Sequence, residues 1–292
     1  MRFLKAILGG TSLAGLSAFA AQAQDILGKP KPGGMWFQEA ATPVMEQLIQ
    51  VHHLVFIIIC VIVAVVVFLM LFIMIRFREK ANPVPSKTSH NTFLEIAWTI
   101  IPVMLLLIMV VPSMQLLYYQ DRLPETDMTV KVVGNTWNWQ YSYPEYDNID
   151  EIISNPLDKT QADEEGRPYL LATDAPLVVP IGTKVKVLIT SVNNMHSWAM
   201  PSFGVKMDAV PGLVNETWFE VNKEGTYYGQ CSEICGIRHY KMPIEVRAVS
   251  KADFNQWVAN GGSFTAAVAE NTVGQETIGQ TLTEATKVAA RD

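Results

Sequence analysis

Cys231-Ser232-Glu233-Ile234-Cys235-Gly236-Ile237-Arg238-His239-Tyr240-Lys241-Met242 gathers two thiols, an imidazole and a thioether within twelve residues. Such soft donors suit copper and are poor ligands for magnesium or calcium. A mononuclear blue-copper loop carries one cysteine between its histidine and its methionine. This loop carries two, four positions apart, so both sulfurs can point inward and bridge a pair of metal ions. A bridged pair shares its charge, and gaining or losing one electron reorganises it little. That predicts an electron relay with no open substrate position. The competing readings are weaker. Two cysteines in an oxidising compartment commonly form a disulfide, but the His and Met at these offsets favour a metal. Zinc sites favour Cys-x-x-Cys and do not recruit methionine, and the Cys-x-x-Cys-His of covalent haem is absent. A second histidine is still required, and His196 in Asn193-Asn194-Met195-His196-Ser197-Trp198 supplies it.

The residues around this loop read as strands. Alternating or β-branched runs occupy 128–133, 177–181, 184–190, 217–221, 225–230 and 244–249, separated by Gly182, Pro211-Gly212 and Glu224-Gly225. With no helical period between them, they predict an all-β sandwich or barrel, and about 130 residues suffice for one such core. The metal loop lies between the last two runs. His196 follows an earlier one, so both are expected at one end of the barrel.

Upstream the chain is apolar. Residues 54–75 and 96–117 carry no charge, and about 22 helical residues span about 33 Å, enough for a bilayer core. Pro102 and Pro112 are tolerable in a membrane helix. Arg76, Arg78, Lys80 and Lys87 place the intervening loop in the cytoplasm. Residues 1–23 read as a signal peptide: Arg2 and Lys5 first, then a small apolar run, then Ala21-Gln22-Ala23 for cleavage. Residues 24–50 then form an N-terminal segment outside the cytoplasm, extended over 25–34. The membrane hairpin is assigned to 51–120, the β domain to 121–250 and a tail to 251–292. In the tail, Phe254 and Trp257 are expected to pack as one short helix, with little to bury beyond Gly262. His52 and His53 are expected at the interface, and Cys60 reads as a buried, inert thiol. Glu95 opens the second span at its cytoplasmic end. It either snorkels to water or marks the mouth of a proton pathway.

Acids dominate residues 145–174, where Glu151 and Asp174 are among many and only Lys159 and Arg167 oppose them. The run reads as a solvated loop or as a docking face that steers a basic partner. Trp137 and Trp139 precede it. One is expected in the core, and an exposed one would be a point of electron acceptance. A formal net charge of −6 argues against a nucleic-acid partner.

The spacing Cys231-x-Glu233-x-Cys235-x-x-x-His239-x-x-Met242, with His196 upstream, resembles the binuclear copper (CuA) signature of subunit II of the haem-copper cytochrome c oxidases, in the bacterial aa3 form. Ser89-His90-Asn91-Thr92 leading into Glu95-Ile96-Ala97-Trp98-Thr99 resembles the start of that family's second membrane helix. Leu171-Ala172-Thr173-Asp174 and Val205-Lys206-Met207-Asp208-Ala209-Val210-Pro211-Gly212 match as well. The likeness covers residues 33–249. It implies a two-helix transmembrane hairpin followed by a cupredoxin-like Greek-key barrel. Cys231 and Cys235 would bridge both coppers. His196 and Met242 would complete one copper, and His239 with the carbonyl of Glu233 the other. The Glu233 carboxylate, a hard ligand, would hold magnesium at the border with subunit I. Trp137 would receive the electron from cytochrome c, Glu151 and Asp174 would belong to the docking face, and Glu95 would sit near the mouth of a proton pathway. The implied partners are subunit I and the other oxidase subunits, cytochrome c and the lipid bilayer. The implied location is a bacterial inner membrane, with the copper domain and both mature termini in the periplasm.

The chain departs from the family pattern in places. Where Gly-His-Gln-Trp-Tyr-Trp is usual, it reads Gly134-Asn135-Thr136-Trp137-Asn138-Trp139. Two commonly acidic docking positions are Ser142 and Asn193, and Leu213 replaces a common arginine. The alternatives are the copper subunit of a nitric-oxide reductase, with the same membrane plan, and a membrane-tethered copper chaperone. The chaperone would need a thioredoxin-like fold, which residues after Tyr118 do not suggest.

Overall fold

Two long helices carry the apolar runs. In the computed structural model, which describes residues 28–264, α1 is Pro43–Arg76 and α2 is Thr92–Asp121. The signal peptide expected at 1–23 and the tail after 264 lie outside the described residues. Helix α1 starts where Pro43 follows Thr42, whose hydroxyl oxygen accepts the Met45 N–H at 3.1 Å, a capping pattern suited to a helix start. Asn91 caps α2 by accepting from the N–H groups of Phe93 and Leu94. At 1.5 Å per residue α1 is about 51 Å long, well beyond a hydrocarbon layer of about 30 Å. Its first turn therefore stands outside the apolar layer. There Val44 and Met45 are buried, and the Thr42 hydroxyl donates to the Phe203 carbonyl at 2.7 Å. Gly204, in the left-handed region at φ 69°, lets this turn approach closely: a Cβ would meet the Met45 backbone at 3.2 Å.

Along the rest of both helices most apolar side chains are exposed; among the described residues the helices touch each other, and the end of α2 packs on β8. Cys60 is among these outward-facing residues. This corrects the expectation of a buried thiol: position 60 faces away from the chain's own core.

Ten strands follow among the described residues: β1 Met128–Asn135, β2 Asn138–Ser142, β3 Ile152–Ser154, β4 Leu177–Pro180, β5 Lys184–Ser191, β6 His196–Met200, β7 Val205–Ala209, β8 Asn215–Glu220, β9 Gly225–Gln230 and β10 Pro243–Val249. Six of them fall on the expected runs. The other four lacked a readable signal. β3 has three residues, and β6 is buried at every position and so shows no alternation. Strand β7 alternates weakly, and β2 reads as an aromatic stretch. His196 follows β5, as expected, and itself opens β6.

The strands form a five-stranded sheet in the order β3-β2-β1-β5-β8, a three-stranded sheet β4-β10-β9 and the pair β6-β7. Pairs β1–β5 and β4–β10 are parallel and the rest are antiparallel. Inward side chains including Val130, Val132, Trp139, Trp198, Phe219, Tyr227 and Val246 fill one core. Gly229 in β9 approaches β6 so closely that a Cβ would lie 2.0 Å from the Ala199 carbonyl oxygen. This contact seats the strand that begins with His196 against the strand that leads into Cys231. Helix α3 is Lys159–Glu164. Helix α4, Lys251–Ala259, closes the domain and buries Phe254 and Trp257 as expected.

Candidate metal centre

The loop from β9 to β10 continues the ladder by one rung. Gln230 pairs with Pro243 in the register, and the Cys231 N–H then donates to the Met242 carbonyl at 3.0 Å. The first and last donors of the loop are thus fixed opposite each other by strand geometry. The Ser232 N–H donates to the Ser197 carbonyl at 3.0 Å, tying the loop to β6 and to His196. A 3-10 turn over His239–Lys241 carries the last histidine.

The donor atoms converge. Nδ1 of His196 lies 3.9 Å from Sγ of Cys231, and the two sulfurs are 3.8 Å apart. Sγ of Cys235 lies 3.6 Å from Nδ1 of His239 and 3.9 Å from Sδ of Met242. The carbonyl oxygen of Glu233 lies 3.3 Å from Sγ of Cys231. His196, Cys231, Cys235 and Met242 are buried, while His239 and Glu233 are half-buried. Both cysteines are free thiols. His196, Cys231 and Cys235 alone place their ligand atoms within 4.8 Å of one another.

Burial pushes the Cys235 thiol up to about 12, and the adjacent Cys231 adds to the rise. Burial also lowers the His196 imidazole, helped by His239, so it is held neutral with a lone pair to give. The donors fit a soft metal: sulfur and imidazole face inward, and a bound cation reverses the cost of forming thiolates.

The walls of the site come from the β1–β2 hairpin. The fully buried Trp139 meets the His196 ring edge-to-face at 5.9 Å. Gly134, its partner in the register, leaves room for that ring: a Cβ there would lie 2.9 Å from Cδ2 of His196. Trp137 is half-buried. Its indole N–H donates to the Cys235 carbonyl at 3.1 Å, and the Arg238 guanidinium lies 5.7 Å from its ring centroid. Gly236, at φ 115°, passes beneath the ring, where a Cβ would come within 3.2 Å.

Three partners of the site were not legible in the sequence. Oδ1 of Asn193 lies 3.2 Å from Nε2 of His196, so this exposed residue also touches the ring nitrogen of a donor that faces away from the sulfurs. Its amide also donates to Asn135 at 2.8 Å and to Thr136. Asn138, at the position where tyrosine is usual, donates to Asn155, whose backbone and side chain donate to the Asp174 carboxylate at 2.7 and 3.1 Å. That chain links an acid of the expected docking face to the residue beside Trp137. Glu245, fully buried in β10, pairs with Arg167 and accepts from the Thr173 N–H at 2.8 Å. The acidic segment is therefore pinned to the sheet at its C-terminal end rather than being solvated throughout.

The structure brings Trp137, His196, Cys231, Glu233, Cys235, His239 and Met242 together. Glu151 and Asp174 are exposed on the same domain. Glu95 stands apart: it is exposed in the first turn of α2, with the length of that helix between it and the β domain.

Helical hairpin, β-sandwich and thiol-rich pocket together define a membrane-anchored metalloprotein. The sequence profile for the periplasmic domain of cytochrome c oxidase subunit II matches residues 128–249, and that for its transmembrane domain matches residues 30–116. The chain belongs to the cytochrome c oxidase subunit II family. A probable cytochrome c oxidase subunit 2 of Rickettsia prowazekii is 48% identical over 76% of this chain and 71% of its own length. Cytochrome c oxidase subunit 2 of Cereibacter sphaeroides is 40% identical over 88% of this chain and 91% of its own. A crystal structure of the periplasmic domain of oxidase subunit II from Bradyrhizobium japonicum is 42% identical, covering 48% of this chain and 96% of that one, with a TM-score of 0.44. The chain is thus part of an oxidoreductase complex, spans the membrane twice and carries a cupredoxin-like domain.

Proposed function

We propose that this chain receives electrons from cytochrome c at a pair of copper ions and passes them to haem in subunit I, where oxygen is reduced and protons are pumped. The observation that carries the reading is the convergence of two free, buried thiols with His196, His239 and Met242. The copper pair, when bound, supplies a one-electron carrier of low reorganisation. Cys231 and Cys235 would bridge it, with His196 and Met242 on one side and His239 and the Glu233 carbonyl on the other. The Glu233 carbonyl oxygen lies 3.3 Å from Sγ of Cys231, close enough to the other donors to serve as a ligand. The Glu233 carboxylate makes no ion pair or hydrogen bond among the described residues, which leaves it for magnesium at the border with subunit I.

Trp137 would take the electron from the donor. Its N–H on the Cys235 carbonyl couples ring and metal loop through one hydrogen bond. Glu151 and Asp174 would steer a basic cytochrome, and Glu95 would lie at the mouth of a proton pathway. The β domain would face the periplasm of a bacterium, with the Arg76–Lys87 side of the hairpin in the cytoplasm. Relatives named as oxidase subunits favour this reading over a nitric-oxide reductase or a chaperone. The test is metal content and spectroscopy of the purified oxidase. Two coppers per chain beyond those of subunit I are expected, with an EPR hyperfine pattern of one electron shared between two nuclei. One copper, or an electron confined to one nucleus, rejects it.

A further inference from the structure

A second built surface lies where α2 ends. Tyr118, Tyr119, Arg122, Lys184 and Trp218 line a cavity of about 440 Å³. Its two charged lining side chains are both basic, and neither makes an ion pair with any described residue. The nearby Asp127 is engaged with backbone: its carboxylate accepts the Lys184 N–H at 2.9 Å. The Arg122 guanidinium lies 5.3 Å from the Tyr118 ring centroid, and Trp218 meets Tyr119 edge-to-face at 5.5 Å. Two cations without an ion-pair partner thus line the cavity, one of them, Arg122, over an aromatic ring.

Depth decides what such a cavity meets. The uncharged span ends near Leu117, and Arg122 follows five residues later, about 7.5 Å further along the axis. The polar layer of each leaflet is about 5–7.5 Å deep. Arg122 therefore starts at the outer edge of that layer, from which its long side chain can turn back to the lipid phosphates, while Tyr118 and Tyr119 lie at the boundary where tyrosine is favoured.

We propose that this cavity binds the head of an anionic phospholipid in the leaflet on the β-domain side. Arg122 and Lys184 hold the phosphate, and the exposed rings of Tyr118 and Tyr119 lie against the glycerol and upper acyl carbons, with the buried Trp218 packed behind Tyr119. A lipid fits better than free phosphate, because the two exposed rings offer apolar contact that an inorganic ion cannot use. The proposal rests on α2 being a membrane span and is independent of the copper assignment. Each basic residue near an anionic surface strengthens attraction about fivefold, so losing both weakens it about 25-fold.

The experiment is native mass spectrometry of the whole purified oxidase, titrated in mixed micelles with phosphatidylglycerol or phosphatidylcholine. It compares wild type with the double variant Arg122→Gln/Lys184→Gln. Wild type is expected to retain one more phosphatidylglycerol than the double variant. Phosphatidylcholine should not replace it, and inorganic phosphate should not displace it. Unchanged visible and near-ultraviolet spectra establish that the variant is folded. Equal lipid retention in the two proteins overturns the proposal. So does displacement by inorganic phosphate, or a photo-crosslinker at position 122 that labels another oxidase subunit instead of lipid.

Discussion

Gly134→Ala tests whether the hairpin wall sets the position of His196. Gly134 lies in strand β1 and has no positive φ, so alanine adds a methyl group without backbone strain. That methyl would sit 2.9 Å from Cδ2, 3.1 Å from Cγ and 3.2 Å from Cβ of His196. Carbon atoms at rest are about 3.5 Å apart or more, so the ring must retreat by about 0.6 Å. Metal–ligand distances tolerate about 0.2 Å. The buried Trp139 packs against the same ring, so retreat is not free. Losing the position of one donor is expected to weaken copper retention about 10- to 100-fold. Overpacking adds about 1–3 kcal/mol of destabilisation. The assay is copper remaining on the purified oxidase after dialysis against graded chelator, with near-ultraviolet circular dichroism as the fold control. A half-loss point shifted to 10- to 100-fold lower chelator, with a native spectrum, is the expected outcome. Unchanged retention with a lowered melting temperature would mean that strand β1 yields instead of the histidine, and would refute the reasoning.

Four further outcomes are expected. Arg167→Met leaves the fully buried carboxylate of Glu245 with Arg247 at 3.8 Å as its nearest cation; a loss of about 3 kcal/mol should appear in thermal melts, and a shift too small to measure would show that Arg247 takes over. Trp137→Phe removes the N–H bond to the Cys235 carbonyl; it should slow electron uptake from reduced cytochrome c in stopped flow while copper content stays at wild type. Asn193→Asp puts a carboxylate beside Nε2 of His196, makes the imidazole a stronger donor and should lower the reduction potential of the centre in a redox titration. Gly229→Ala drives a Cβ to 2.0 Å from the Ala199 carbonyl; it should part β6 from β9 and yield chain without metal, as read by copper analysis of whatever folds.

The metal donors and the helical hairpin could be read in the chain because both signals are local. Four of the five donor side chains lie within twelve residues, and an apolar run of about 22 residues has few fates other than a membrane. Six strands were equally legible from alternation. The other four were not, because β6 is buried on both faces and β3 is too short to show a period. The acids of the acidic segment are exposed, as their charge suggests, but its anchor to the sheet was not legible. Composition shows its charge but not that Arg167 reaches across to Glu245, 78 residues away.

Sequence by itself determined the ligand types, the family and the two spans, since these follow from residue identity and spacing along one segment. Only the tertiary structure decided what surrounds them. That His196 rests between Trp139 and the absent side chain of Gly134, that Asn193 contacts its far nitrogen, and that Asn138 connects to Asp174 through Asn155 are all contacts between strands distant in the chain. The same holds for Arg122 and Lys184, 62 positions apart, which line one cavity because α2 ends against β8. Packing sets such pairs, and no period in the sequence encodes it.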